Sequence, residues 1–399
     1  LLANSKLKWE TTISRNFGID FGFLNNRVNG SLEVYWNTTK DLLMAVPVDN
    51  TTGYSYQFQN FGKTSNRGIE LSVNVDVINK GDFRFNVGAI YNYNRNKLDE
   101  LPNADQYLYS SYWGSSSLVP TNDYMFVEGK AIGLVRGFIS EGYYTVDDFN
   151  YTNGQYVLKE GVPDITKALT ATYMHPYDLP AGQTAFPGAA KFRDVDESGT
   201  VDLDDATCLG EVMPRHTGSF QLNFNYKNFD LSTNFNWTAG GKVYNVAAMI
   251  NASGQEFDGI GAQRASWVAD AFKVYNVNAA GDLYAVTNPD ELRALNANAK
   301  YHLPYHQSGI TSSEWLENGS YLRLQTLTLG YTLPKNWLTK VHVDKIRLYL
   351  TATNLFTITG YSGIDPEVNA NPTGQSGFYS DFGTYPRART FTFGANITF

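Results

Sequence analysis

The sequence predicts an all-β chain, a transmembrane antiparallel β-barrel, and three features carry that expectation. Apolar and polar residues alternate with period two over stretches of about ten residues, which puts one set on each face of a strand. Aromatic residues (27 Tyr, 24 Phe, 7 Trp) and 35 Gly, beside only 5 Met in 399 residues, favour strands and turns over helices. Connections alternate between very short and very long. The longest apolar run, Leu42 to Val48, is seven residues with Pro47 inside it, far short of the roughly 20 that a membrane helix needs.

The first strand spans 12–23 and the second 28–38, joined at Asn25-Asn26. The third, 66–78, sets Ile69, Leu71, Val73, Val75 and Val77 against Glu70, Ser72, Asn74 and Asp76. It turns through Asn79-Lys80-Gly81 into the fourth, 82–94. In the fifth, 218–227, Phe220, Leu222, Phe224 and Tyr226 alternate with Gln221, Asn223 and Asn225. Asn228 alone leads into the sixth, 229–238, where Leu231, Phe235 and Trp237 alternate with Ser232, Asn234 and Asn236. The seventh (320–333) and eighth (344–354) are linked around Pro334, and the ninth, 389–399, ends with Phe393, Ala395, Ile397 and Phe399 on one face.

Such strands are about twice the usual soluble length. An apolar face with aromatics near its ends suits lipid, and an Asn/Thr/Ser face suits a wet lumen. The other links, 39–65, 95–217, 239–319 and 355–388, are long. Short turns at one end and long loops at the other are the pattern of outer-membrane barrels, whose long loops lie outside the cell. Nine strands is an odd number, whereas bacterial single-chain barrels have even counts. Residues 1–399 are therefore expected to be the C-terminal portion, about 9–11 strands, of a larger barrel. A 22-stranded barrel at this strand density needs roughly a thousand residues. The opening LLANSKLKWE has neither Met nor a signal-peptide layout, which also fits a chain cut from something longer.

With 31 Lys+Arg against 39 Asp+Glu the net charge is −8 and no basic run occurs, which argues against nucleic acid as a partner. Cys208 is the only cysteine, so there is no internal disulfide and no thiolate metal cluster. Neither G-x-S-x-G nor H-E-x-x-H is present, and no catalytic residue is expected.

The most specific local motif runs from Asp194 to Asp205. A 12-residue Ca²⁺ loop supplies oxygens from positions 1, 3, 5, 7, 9 and 12 and turns at a Gly in position 6. Those positions hold Asp194, Asp196, Ser198, Thr200 (through its backbone), Asp202 and Asp205, with Gly199 at the turn. The competing reading is an Asx-turn-rich loop whose carboxylates cap backbone amides. Loop aromatics such as Tyr112, Trp113, Phe378 and Tyr379 offer flat faces for substrate or a partner, and packing between loops would use the same residues. Phe399 is the expected assembly signal, a terminal aromatic above alternating apolar positions.

Several stretches resemble the SusC/RagA-type TonB-dependent outer-membrane transporters: LKWETT at Leu7–Thr12, RGIEL at Arg67–Leu71, YLRLQTLTLGYTLP at Tyr321–Pro334, ATNLFTITGYSGIDPEV at Ala352–Val368, and the closing TYPRARTFTFGANITF. The resemblance implies a 22-stranded barrel in the outer membrane of a Gram-negative bacterium, plugged by an N-terminal domain that TonB drives, with a SusD-like lipoprotein capping it. It implies import of a large nutrient, glycan or peptide, with no enzyme activity. Plug, TonB box and early strands do not match anything in these residues. The alternatives are a stand-alone porin or a barrel enzyme of about ten strands, and the odd strand count weighs against both.

Overall fold

The computed structural model describes residues 2–54, 56–60, 62–101, 106–110, 118–170, 175–253, 265–303, 309–338, 343–368 and 379–399. Nine long strands form one antiparallel ladder in sequence order. We label them β1 (Thr11–Ile13 and Asn16–Phe23), β2 (Val28–Lys40), β3 (Lys63–Lys80), β4 (Phe83–Glu100), β5 (His216–Tyr226), β6 (Phe229–Ala239), β7 (Tyr321–Thr332), β8 (Lys345–Thr359) and β9 (Thr390–Thr398). The two parts of β1 pair with β2 in one register across Ser14-Arg15. The tight turns fall where expected: Leu24, Asn25 and Asn26 take positive φ of 55, 55 and 65°, Gly81 takes 60° and Lys227 53°.

The expected boundaries need correction at the other end of the ladder. Strands β3 and β4 run 18 residues each, past 66–78 and 82–94 as far as Lys63 opposite Glu100. Much of the expected 39–65 loop is also strand, with a hairpin of Leu43–Pro47 and Tyr56–Asn60. The apolar alternation stops where a lipid-facing stripe stops, but backbone pairing does not need it.

Register turns nine separate alternations into two continuous faces. One rung reads Leu231, Leu329, Leu350, Phe393 across β6 to β9, and another Phe17, Val34, Ile69, Tyr93 across β1 to β4. Aromatic residues fringe this face at both ends. Phe83 and Tyr226 meet at 6.4 Å and Phe229 and Tyr331 at 4.6 Å at the turn end, and Tyr91 stacks on Trp237 at 6.1 Å at the loop end. Ten residue steps separate Phe83 from Tyr93; at about 3.4 Å each and a tilt near 40° they span roughly 25 Å, the height of an outer-membrane apolar band.

Above the ladder the two long insertions build a body of their own. Short strands pair there, among them Leu134–Gly137 with Thr207–Glu211 and Phe149–Thr152 with Gln155–Leu158. One core joins Phe138, Tyr144, Phe186, Phe192 and Val201 to Phe272, Leu292 and Ile310. Two tyrosines tie the insertions together: buried Tyr156 donates to the Thr287 carbonyl at 2.8 Å and half-buried Tyr143 to that of Ala299 at 3.0 Å. A short helix, Pro289–Leu295, is capped by Asn288, whose side chain accepts from the Asp290 and Glu291 amides.

Candidate functional site

The second face of the ladder is polar from edge to edge. Ser31 and Ser72 share a hydrogen bond of 2.8 Å, Ser232 donates to Asn223 at 2.6 Å, Thr328 meets Thr351 at 2.9 Å, and the Arg347 Nε donates to Asp230 at 2.9 Å. Asn223, Asn225, Asn234 and Asn236 all stand on this face, opposite Ser232, Asp230, Gln221 and Ser219. Such a wall satisfies its own side chains across strands yet still presents oxygens and amides to water.

At the loop end of β5 to β7 this wall opens into a cavity of about 150 Å³, lined by Thr217, Thr238, Lys242, Tyr321, Glu367 and Tyr379 among others. Tyr379 has positive φ of 49°, a strained setting for a bulky residue. Burial, and then the Glu367 carboxylate, push its phenol pKa up. Of the aromatic loop residues named from the sequence, Tyr379 is thus beside a cavity, half packed against Tyr244 and its neighbours. Tyr112, Trp113 and Phe378 lie outside the described residues.

Glu367 of that lining belongs to an ion network, and sequence reasoning missed it. Arg323, only 3% exposed, bonds Asp365, Glu367 at 3.0 Å and Thr357 at 3.0 Å. Arg387 bonds the other oxygen of Glu367 at 2.6 Å. Two cations and two carboxylates close the set without net charge, which offsets the burial of Arg323 and Asp365, while Glu367 and Arg387 stay exposed. Arg323 sits in what reads as an apolar-facing position if alternation is counted back from Leu329 and Leu327. A bulge at Gln325 reverses the phase: Leu324 opposes Phe235 and Arg323 opposes Asn236, on the polar face. The detectable signal was the slip from Leu322 and Leu324 to Leu327 and Leu329.

In the acidic loop, carboxylate oxygens of Asp194, Asp196 and Asp205 lie within 4.8 Å of one another. Asp205 is fully buried and accepts from the amides of Val195 at 2.6 Å and Asp202 at 2.8 Å. Asp194 accepts from Ser198 at 3.1 Å and Gly199 at 2.7 Å. The Ser198 amide also holds the Asp196 carboxyl below the usual carboxylate range. Ser198 donates to the Thr200 carbonyl at 3.0 Å, and Asp202 caps Asp204 at 2.8 Å, outside the trio. Amide capping is therefore present, and three of the four carboxylates in the expected set converge. Phe399 follows β9 at the turn end, 86% exposed.

The model of a family described as TonB dependent receptor-like, beta-barrel, matches residues 1–355. TonB-dependent receptor P3 of Formosa agariphila is 30% identical over all of this chain and 35% of its own length. TonB-dependent receptor SusC of Bacteroides thetaiotaomicron is 28% identical over 99% of the chain and 32% of its own length. The chain thus spans about a third of the curated relatives it matches. A solved RagAB peptide transporter superposes over 100% of the chain and 36% of its own, with a TM-score of 0.68 at 23% identity, which speaks for the fold.

Proposed function

The chain belongs to the TonB-dependent receptor-like β-barrel family of the Gram-negative outer membrane, and from that premise we propose that it is part of the wall of a SusC/RagA-type importer. The observation that carries this is the pair of unbroken faces, one apolar and fringed by aromatics, one polar and self-bonded. The turn end then faces the periplasm and the loop body the outside. The transported nutrient is large, an oligosaccharide or a peptide, and the cavity beside Tyr321 and Tyr379 forms part of its upper path. A SusD-like lipoprotein sits on the loop body, and TonB acts through parts of the receptor beyond these residues. Cells lacking the protein should lose uptake of one class of large nutrient while small-solute permeation stays unchanged. Free passage of small solutes through the purified protein in a bilayer would favour an open porin instead. The hairpin of Tyr275–Val277 with Leu283–Ala285 leaves Val277 57% and Leu283 69% exposed. Its removal should lower lipoprotein co-purification several-fold, and unchanged recovery rejects that contact.

We also propose Ca²⁺ for the acidic loop, supported by the convergence of Asp194, Asp196 and Asp205. Calorimetry should detect an ion that Asp194→Ala with Asp196→Ala removes; no heat at millimolar Ca²⁺ rejects it. Phe399 is proposed as the assembly signal. Phe399→Ala should reduce heat-modifiable, inserted protein, and wild-type levels would reject the role.

A further inference from the structure

Toward the loop end of the apolar face, charge first appears as a rung of arginines. Directly beyond Phe17, Val34, Ile69 and Tyr93, toward the loop end, the next rung places Trp36 opposite Arg67 and Arg67 opposite Arg95. Arg15 completes it: its carbonyl accepts from the Trp36 amide at 3.0 Å, in the register that β1 keeps on both sides. All four residues are exposed. No bulge separates Arg67 from Ile69 or Arg95 from Tyr93, so the arginines share the face of the aliphatic band rather than of the lumen. None of the three forms an ion pair among the described residues, whereas Lys97, one rung further, pairs with Asp99 at 3.3 Å.

Two guanidinium groups directly opposed across neighbouring strands repel one another, and an arginine facing hydrocarbon is costly except at the interface. Three of them in one rung of a chain with net charge −8 call for an anion at that depth. Trp36 fixes the depth, since its ring belongs at headgroup level. Guanidinium binds phosphate through two parallel hydrogen bonds, and strands about 4.8 Å apart let adjacent arginines share one group. We propose that the Arg15–Trp36–Arg67–Arg95 rung is a binding surface for the phosphates of an anionic glycolipid in the outer leaflet. The leaflet assignment rests on the reading that the loop end faces outside.

The test uses the protein as purified from its membrane, in mild detergent, by native mass spectrometry. The probes are bis-phosphorylated lipid A, the same glycolipid without phosphate, phosphatidylglycerol and inorganic phosphate. The wild type should retain the phosphorylated glycolipid on the order of tenfold better than Arg67→Gln with Arg95→Gln, and Lys at both sites should fall between. Equal retention by the Gln variant, or of the dephosphorylated glycolipid, overturns the proposal. Equal retention of phosphatidylglycerol, or full competition by inorganic phosphate, overturns the glycolipid as occupant. These last arms need only the wild type, so a variant that fails to fold does not block the decision. Antibody access to the loop body on intact cells checks sidedness separately, so failure of that reading is told apart.

Discussion

The ladder and the loop body use the same aromatic residues in opposite ways. Phe391 and Phe393 on β9 are 65% and 74% exposed, while Phe138 and Tyr144 in the body are fully buried. Neither is anomalous once the solvent is named. Lipid completes the packing around the ladder, so its apolar side points out and no internal core is needed. Water surrounds the body, so its apolar side chains must find each other across 170 residues of chain, from Phe138 to Ile310. Stability in the first region comes from strand-to-strand pairing repeated rung by rung. In the second it comes from burial and close packing.

Three perturbations sharpen this contrast. The largest is expected from Phe138→Ala, which removes a ring packed 5.5 Å from that of Phe192. It should cost the body about 3–5 kcal/mol, read by denaturation in near-UV circular dichroism, with the heat-modifiable barrel retained. Loss of both together would mean the two regions are one cooperative unit. Phe393→Arg comes next, at roughly 2–4 kcal/mol near the middle of a lipid-facing strand. Asn223→Arg on the wet face should cost far less in the same refolding assay, and equal costs would remove the distinction between faces.

The smallest effect is a pH dependence confined to the body. His302 is buried against Trp267, and burial pushes its pKa down from 6.5 to about 4. Burial pushes the Glu314 carboxyl, 3.9 Å away, up from 4.5 to about 7. The unfolded chain binds more protons at His302, so that site loses stability as pH falls from 6.5 toward 4. The folded chain binds more at Glu314, so that site loses stability as pH rises from 4.5 toward 7. In the wild type the two slopes oppose. Glu314→Gln should leave a body that weakens on acidification, and His302→Asn one that weakens as pH rises. Two flat profiles would reject the balance.

The difference also explains what could be read from sequence. All nine ladder strands were legible because one rule, period two, repeats over about ten residues at a time. The body was not, since its strands are two to five residues long and its core follows no period. The acidic loop was visible as a motif, but which oxygens are spent on backbone amides depends on the fold. Arg323 escaped because one inserted residue inverts the alternation just where it matters.

That inserted residue has a consequence at the level of the gene. Gln325 is passed over in the pairing of β7 with both neighbours. Exchanging it for another amino acid leaves the count of residues intact, and with it the phase of everything before it. Losing its codon removes the bulge instead: Leu324 becomes the second residue before Leu327, so Leu322 and Leu324 stay with the apolar face and Arg323 with the polar one, and the strand loses only its local kink. For the ladder, then, a three-nucleotide deletion is mild at Gln325 and grave in an unbulged strand such as β6, where it flips every side chain beyond it, and sequences that descend from this one should vary at Gln325 in length as well as in letter.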